Sequence, residues 1–364
     1  MSVAFADGYA DATRQRTAPA TQAGCEHPPP GWPETARGKR HHAPMSRIRT
    51  SLLLAATAGA VLAPAATAQG APTTLAVEQA PTRVAAHDGV VMWSRFDAAA
   101  NTYALVKSVG GGAPTRVGVA PRRSGPFDID LGTNRSGATY AVYTRDDGDI
   151  YRLNVATGSE VKVAKLSSET LVERDPTIMR GEIAFIRRDR GFDQLRIGNT
   201  TAASMGSRLV VKQRAIVHAE LGTTHIAYLV TGPGPISDQG ARYMRIRNLR
   251  TGADRQVYRA VSGGANFANT TRPTYVASPA GFIWARTNAG SGQGNRFVRY
   301  TLRGSKLTYA QGAGFYRSTA WVGEALGAVT SGSLDGETQG ACTDANVNYC
   351  QVQLTGPLDF NLSP

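Results

Sequence analysis

Cysteine is scarce in this chain: three among 364 residues, Cys25, Cys342 and Cys350. That excludes a small scaffold held together by dense disulfides, and no C-x-x-C pair offers redox or metal chemistry. His87, His218 and His225 never pair as H-x-x-x-H, and no cysteine lies near them in sequence, so the spacing of a zinc site is missing. There is no G-x-S-x-G elbow, and these histidines lack the company a catalytic triad needs. Gly110-Gly111-Gly112 sits in a loop, not between a strand and a helix, so it is no phosphate cradle. Lysine is sparse as well, six of the 40 cationic residues. No segment sustains a helical period, and no apolar run approaches the roughly 20 residues of a membrane span. The sequence therefore assigns no catalytic residue and no metal ligand.

What is present begins at Met45. Arg47 and Arg49 form a positive stretch, Ser51 to Ala63 an apolar one, and Ala66-Thr67-Ala68 a small-x-small cleavage site. This is the order of a secretory signal peptide over residues 45–68. The expected product is secreted or held in the cell envelope, starting near Gln69. Residues 1–44 carry Pro28-Pro29-Pro30 and Arg37-Gly38-Lys39-Arg40 without periodicity. They read either as an extension upstream of a start at Met45 or as an unusually long n-region.

The whole chain carries a formal charge of +13. Residues 1–68 hold seven of the cationic and four of the acidic residues, which leaves a surplus of ten positive charges on the remainder. Such a balance favours an anionic envelope polymer as partner. The arginines are scattered rather than clustered, which argues against nucleic acid. The Arg, Ala and Gly bias is also what a GC-rich bacterial genome produces. Cys342 and Cys350, an isolated pair in an exported chain, are expected to form one disulfide.

A short apolar motif ending on an aromatic recurs through residues 69–364. Its aromatics are Trp93, Tyr143, Phe185, Tyr228 and Trp284, and a degenerate sixth copy is Leu326-Gly327-Ala328-Val329. Each copy is preceded by a short strand and turn and followed by alternating segments, such as Ile150 to Val155 and Tyr243 to Leu249. Alternation marks half-buried strands. Four strands repeated at this spacing predict a single all-β domain, a six-bladed β-propeller of four-stranded antiparallel blades. First strands are expected at Phe127 to Leu131, Pro176 to Met179, Val217 to Leu221, Thr274 to Ala277 and Thr319 to Val322. Of the two terminal segments able to close the sixth blade, Thr74 to Glu78 is favoured over Leu358 to Leu362, because it would join both ends of the chain in one sheet and leave no open edge.

Residues Asp147 to Val163, D-G-D-I-Y-R-L-N-V-A-T-G-S-E-V-K-V, resemble the repeat of TolB-type, WD40-like bacterial propellers, and Glu182-Ile183-Ala184-Phe185 is similar to that repeat's core strand. The resemblance spans roughly residues 80–356. It departs from the family's usual S-P-D-G turn, with Ser278-Pro279-Ala280-Gly281 and Arg135-Ser136-Gly137 instead. It implies a protein-binding or scaffold role more often than an enzyme.

Arg95, Arg145, Arg187 and Arg286 each stand two residues after a motif aromatic, on the same face of the strand. They are expected to stack on that ring or to pair with the next blade. Asp128 and Asp130, with Asp175 and Glu220 at corresponding places, fall on first strands, which line a propeller's channel. There they either hold a cation or orient a ligand, or they pair with Arg174 and other channel arginines, the expected outcome. Asp146-Asp147-Gly148-Asp149 has the oxygen chemistry calcium prefers, but it lacks an EF-hand or RTX pattern and reads as a hairpin tip, so no cofactor is expected. The leading expectation is a secreted, monomeric, non-catalytic propeller that binds another protein or an anionic polymer. Its partner surface is expected on the connections Gly232 to Gly240, Asn288 to Asn295 and Ser331 to Asn348. The rival is an extracellular carbohydrate-active hydrolase or lyase with acids at the channel mouth.

Overall fold

The computed structural model describes residues 73–78, 82–200, 206–233, 240–261, 268–270, 272–277, 280–288, 296–302, 307–311, 318–322, 328–332 and 351–354. The signal segment, Cys342, Cys350 and most of the three long connections lie outside the described residues, as does the side chain of Arg286.

These residues form antiparallel sheets built on one plan. Sheet 1 runs through Val84–His87, Val90–Asp97, Thr102–Val109 and Thr115–Arg116. Sheet 2 comprises Asp130–Thr133, Thr139–Thr144, Ile150–Asn154 and Glu160–Lys162. Sheet 3 comprises Glu173–Met179, Glu182–Asp189, Phe192–Asn199 and Arg208–Gln213. Sheet 4 comprises Ile216–Leu221, His225–Pro233, Gly240–Asn248 and Asp254–Val261. In sheet 5 the first strand is split into Ala268–Thr270 and Thr274–Val276, both paired with Gly281–Asn288; Arg296–Thr301 and Leu307–Gln311 follow. These five sheets each use strands consecutive in sequence. Sheet 6 joins the two ends of the chain: Ser318–Trp321, Ala328–Gly332, Gln351–Leu354 and, outermost, Thr73–Val77. The closing segment is thus the one favoured from sequence.

The first strands stand side by side in order, sheet 1 to sheet 6 and back to sheet 1, around a common axis. The fold is an all-β propeller with four-stranded antiparallel blades. Each sheet is sandwiched between two neighbours, which explains why the second strands are apolar on both faces. Met92 packs into the core shared with sheet 2, whereas Val91 and Trp93 pack into the core shared with sheet 6. The motif aromatic always faces the preceding sheet: Tyr143 toward sheet 1, Phe185 toward sheet 2, Tyr228 toward sheet 3 and Trp284 toward sheet 4. All five rings are fully buried. Burying side chains of this size contributes roughly 1.5–3 kcal/mol each relative to exposure.

Two expected first strands differ. In sheet 2 the strand is Asp130–Thr133, not Phe127 to Leu131. Phe127 leaves the ladder because its amide donates to Ser94 Oγ (2.8 Å), while its ring meets Tyr143 edge-on at 5.2 Å. In sheet 5 the strand breaks ahead of Pro273, which has no amide hydrogen to add to a ladder. The equivalent place in sheet 3 is a bulge between Arg174 and Thr177, with Pro176 inside it and Asp175 at a φ of 52°. Neighbouring first strands approach so closely that a Cβ on Gly132 would lie 2.1 Å from the carbonyl oxygen of Ile178.

Candidate functional site

Strand register aligns the first strands with one another. Asp130, Thr177, Glu220, Thr274 and Ala85 each lie opposite the residue just before the motif aromatic. Two positions earlier in each strand stand Asp128, Asp175, His218, Arg272 and Arg83. One repeat position therefore sets a ring of ionisable side chains around the axis.

The four acids that sequence placed at the channel are brought together there, but chiefly as clamps between sheets. Asp128 Oδ2 accepts the Asp175 amide (2.8 Å), and Asp175 Oδ2 accepts the Ala219 amide (2.7 Å). Asp130 Oδ2 accepts the Ile178 amide (2.9 Å), and Glu220 Oε1 accepts the Tyr275 amide (3.1 Å). Each acid thus holds the first strand of the following sheet. The expected partner Arg174 is elsewhere: it faces the buried Asp193 at 3.0 Å and donates to the carbonyls of Ile216 and Val217.

The arginine that closes the axis is Arg272, which sequence reasoning missed. Its Nε donates to the carbonyl of Ala219, Nη1 to that of Ile129 and Nη2 to that of Pro176, at 3.1–3.2 Å. One side chain from sheet 5 thereby ties sheets 4, 2 and 3 across the channel. It also lies 3.9 Å from Asp175 and 3.4 Å from Glu220. Arg83 reaches in from sheet 1 to Asp175 (2.8 Å), and His218 Nδ1 lies 3.3 Å from the same carboxylate. A signal for Arg272 does exist in the sequence: Arg272-Pro273-Thr274 repeats the Pro-Thr pair of Asp175-Pro176-Thr177.

The electrostatics follow from this packing. Burial pushes the Asp175 carboxyl up, but Arg272, His218 and Arg83 outweigh it and hold the group well below the ordinary aspartate range. Burial, with the nearby negative charge of Asp130, pushes Glu220 well above the ordinary glutamate range despite Arg272. Burial also lowers His218, against the upward pull of Asp175, and favours a neutral ring.

At the end of the axis where first strands turn into second strands, the ring opens into a cup of about 430 Å³. Arg272, Asp130 and Glu220 lie deep in it, apolar walls come from residues such as Leu131, Met179 and Tyr275, and Arg180 and Asp88 stand at the turns. The described strand ends that flank the expected partner-bearing connections, such as Pro233 and Gly240, lie at the other end of the sheets, and most of those connections fall outside the described residues.

The motif arginines are architectural. Arg95 pairs with Glu78, which also accepts from Trp93 Nε1 (2.6 Å). Arg145 pairs with Glu160, which accepts from Tyr143 Oη (2.6 Å). Arg187 pairs with Glu173 and lies over the Phe185 ring. In sheet 4 position 230 is a valine, and Arg245 from the adjacent strand joins Tyr228 and Asp254 instead. Ring stacking was expected and occurs at Phe185. Pairing with the next blade is corrected for Arg145 and Arg187, whose partners belong to the arginine's own sheet: Glu173 lies directly opposite Arg187 on the first strand, and Glu160 is reached on the fourth strand by the long Arg145 side chain, whereas Glu78, the partner of Arg95, follows the outermost strand of the adjoining sheet 6.

In the hairpin 146–149, Asp146 accepts the amides of Arg123 and Ser124, Asp147 accepts from Tyr151 Oη and the Asp149 amide, and Asp149 pairs with Lys162. Among the described residues, no three His, Cys, Asp or Glu side chains gather as a metal site. No described helix is long and apolar enough to cross a membrane.

The fold and the cup define a β-propeller protein with one axial pocket described. No family profile matches the chain, and no curated protein matches it. Among solved structures it is similar to an oligogalacturonate lyase from Vibrio parahaemolyticus, at 7% identity and a TM-score of 0.48, with 74% of each chain covered. It is also similar to TolB from Acinetobacter baumannii (12%, 0.47, covering 74% of this chain and 65% of that one). An oligogalacturonate lyase in complex with manganese gives 12%, 0.45, 68% and 66%. The chain thus spans just under two thirds of the length of the last two.

Proposed function

We propose that this chain is a secreted, TolB-like, non-catalytic propeller of six blades that binds another macromolecule, a protein or an anionic envelope polymer, as a monomer. The observation that carries this reading is Arg272. Its guanidinium is engaged by carbonyls of three sheets and by two acids, so the axis is closed by structural bonds. The channel carboxylates likewise accept backbone amides, which leaves them poor candidates for turning over a substrate. The surplus of positive charge supports an anionic partner, and a rigid disc with variable loops suits macromolecular contact.

A second reading, an extracellular carbohydrate-active hydrolase or lyase, is favoured by one observation: Asp130 and Glu220 share the cup, where burial and the charge of Asp130 push Glu220 well above the ordinary glutamate range. A carboxyl group raised by burial is one ingredient of acid–base chemistry. Co-sedimentation of the purified chain with acidic and neutral polysaccharides and with envelope fractions, at low and high salt, separates the two when product is assayed in the same tubes. Retention without new sugar ends is the expected result; catalytic release of sugar products would overturn the binding reading.

A further inference from the structure

The cup has a chemistry of its own. Asp130 uses Oδ2 for the Ile178 amide, and its second oxygen, Oδ1, has no hydrogen bond among the described residues. Arg272, deep in the same cup, spends three of its five N–H groups on carbonyls and lies 3.4 Å from Glu220 and 3.9 Å from Asp175, so its charge is already shared between two acids. Glu220 is committed to Tyr275 and Thr177. The free polar capacity at the bottom is therefore an acceptor that carries negative charge. Around it stand Leu131, Met179, Tyr275, Trp321 and Val322.

We infer that the axial cup binds a primary ammonium group carried on a short apolar stem. An ammonium has three donors and no acceptor, which fits Asp130 Oδ1 with Glu220 in the same cup. A carboxylate would meet Asp130 without a free guanidinium to receive it. The volume of about 430 Å³ lies within the range of roughly 300–1,000 Å³ of small-ligand sites, and it accepts a lysine side chain or an arylalkylamine. The inference rests on the binding reading above and gives it a ligand class: either a free amine or a lysine offered by a partner protein.

The groups that face Glu220 set the pH response. Asp130 comes from sheet 2, Thr177 and Asp175 from sheet 3, Arg272 from sheet 5, and His87, Asp88 and Arg180 stand at the rim. Burial and Asp130 push Glu220 well above the ordinary glutamate range, and an arriving ammonium beside it favours release of its proton. That proton leaves to solvent, so the amine binds more tightly as pH rises.

Titration calorimetry of the full chain tests this with 2-phenylethylamine, 2-phenylethanol, 3-phenylpropionate and the amide of Nα-acetyl-lysine. The expected order is amine above alcohol above carboxylate, with proton release on amine binding that disappears in Glu220→Gln. Asp130→Asn, which keeps an acceptor for the Ile178 amide, is expected to weaken the amine at least tenfold. Preference for the lysine amide over the free amine would identify a protein partner as the source; the reverse would identify a small metabolite. Equal or tighter binding of the carboxylate, absence of amine binding, or an Asp130→Asn chain that folds and binds amine unchanged would overturn the inference. The ligand-charge series uses the unaltered chain and stands even if Asp130→Asn fails to fold. Failure here leaves polymer or protein capture to be judged by its own experiment, whereas sugar release would overturn the binding reading itself.

Discussion

Arg272 concentrates more of this molecule's stability than any surface ion pair described here. Removing one partner from a buried ionic network leaves the others desolvated and uncompensated, at a cost of about 3–5 kcal/mol. Arg272→Met is therefore expected to lower the free energy of unfolding by about that amount, read from urea midpoints at neutral pH. A loss under about 1 kcal/mol, the range of exposed pairs, would mean that Arg83 alone suffices for Asp175. The motif aromatics and the arginines two residues later were legible because they recur at a fixed offset. Their carboxylate partners were not, because Glu78, Glu160 and Glu173 come from three different places in the repeat. Arg272 escaped for a related reason: its strand is broken at Pro273, so the alternation that marks the other first strands is interrupted where the side chain matters most.

Elements fit together here with little room for adjustment. Gly132 faces the Ile178 carbonyl of the next sheet, where the obstacle is backbone and cannot rotate away. Gly132→Ala is expected to cost about 1–3 kcal/mol, as overpacking does, with a correspondingly lower melting temperature; an unchanged transition would show that the first strands can slide apart. The strand Thr73–Val77 covers the edge of Gln351–Leu354, and an uncovered edge of that kind templates pairing between chains. A chain starting at Glu78 is accordingly expected to elute earlier than the intact protein in size-exclusion chromatography, as larger assemblies; an unchanged elution volume would show that the edge is not exposed. The closing role of this segment was legible because only a strand from the other end of the repeat array could join both ends in one sheet and leave no open edge. The start of sheet 2 was not, because a buried Phe127 looks like a strand residue whether or not its amide joins a ladder.

At the scale of the whole molecule, the buried ionisable groups shape the response to pH. Burial and the charge of Asp130 hold Glu220 well above the ordinary glutamate range when folded, whereas the unfolded group ionises near 4.5. Stability from this group is thus full at low pH and declines as pH rises from that value toward the raised one. Asp175 acts in the opposite sense: its contribution is present above 3.8 and lost as pH falls below it. His218, which burial lowers, adds a further loss as pH drops below 6.5. Glu220→Gln is expected to flatten the alkaline decline, so that urea midpoints from about pH 5 to about pH 8 fall less steeply than in the unaltered chain. An identical slope would place the decline in other groups. The propeller class and the four-stranded antiparallel plan were open to reading because repetition multiplies a weak signal. The cup was not, since it draws single residues from every sheet, and only the ring brings them together.

Closing the last sheet with the first strand has a consequence in time. Thr74 and Gln351 are 277 positions apart, so this contact forms only after nearly all of the chain has emerged. Loop closure over such a span is entropically slow. Sheets 1 to 5 can assemble in order as each repeat appears, while the leading strand waits without a partner. A chain cut short anywhere before residue 351 would keep an open ring and an exposed edge, however well its finished blades were packed. Proteases and chaperones that read exposed edges would then sort complete molecules from incomplete ones without recognising any particular sequence.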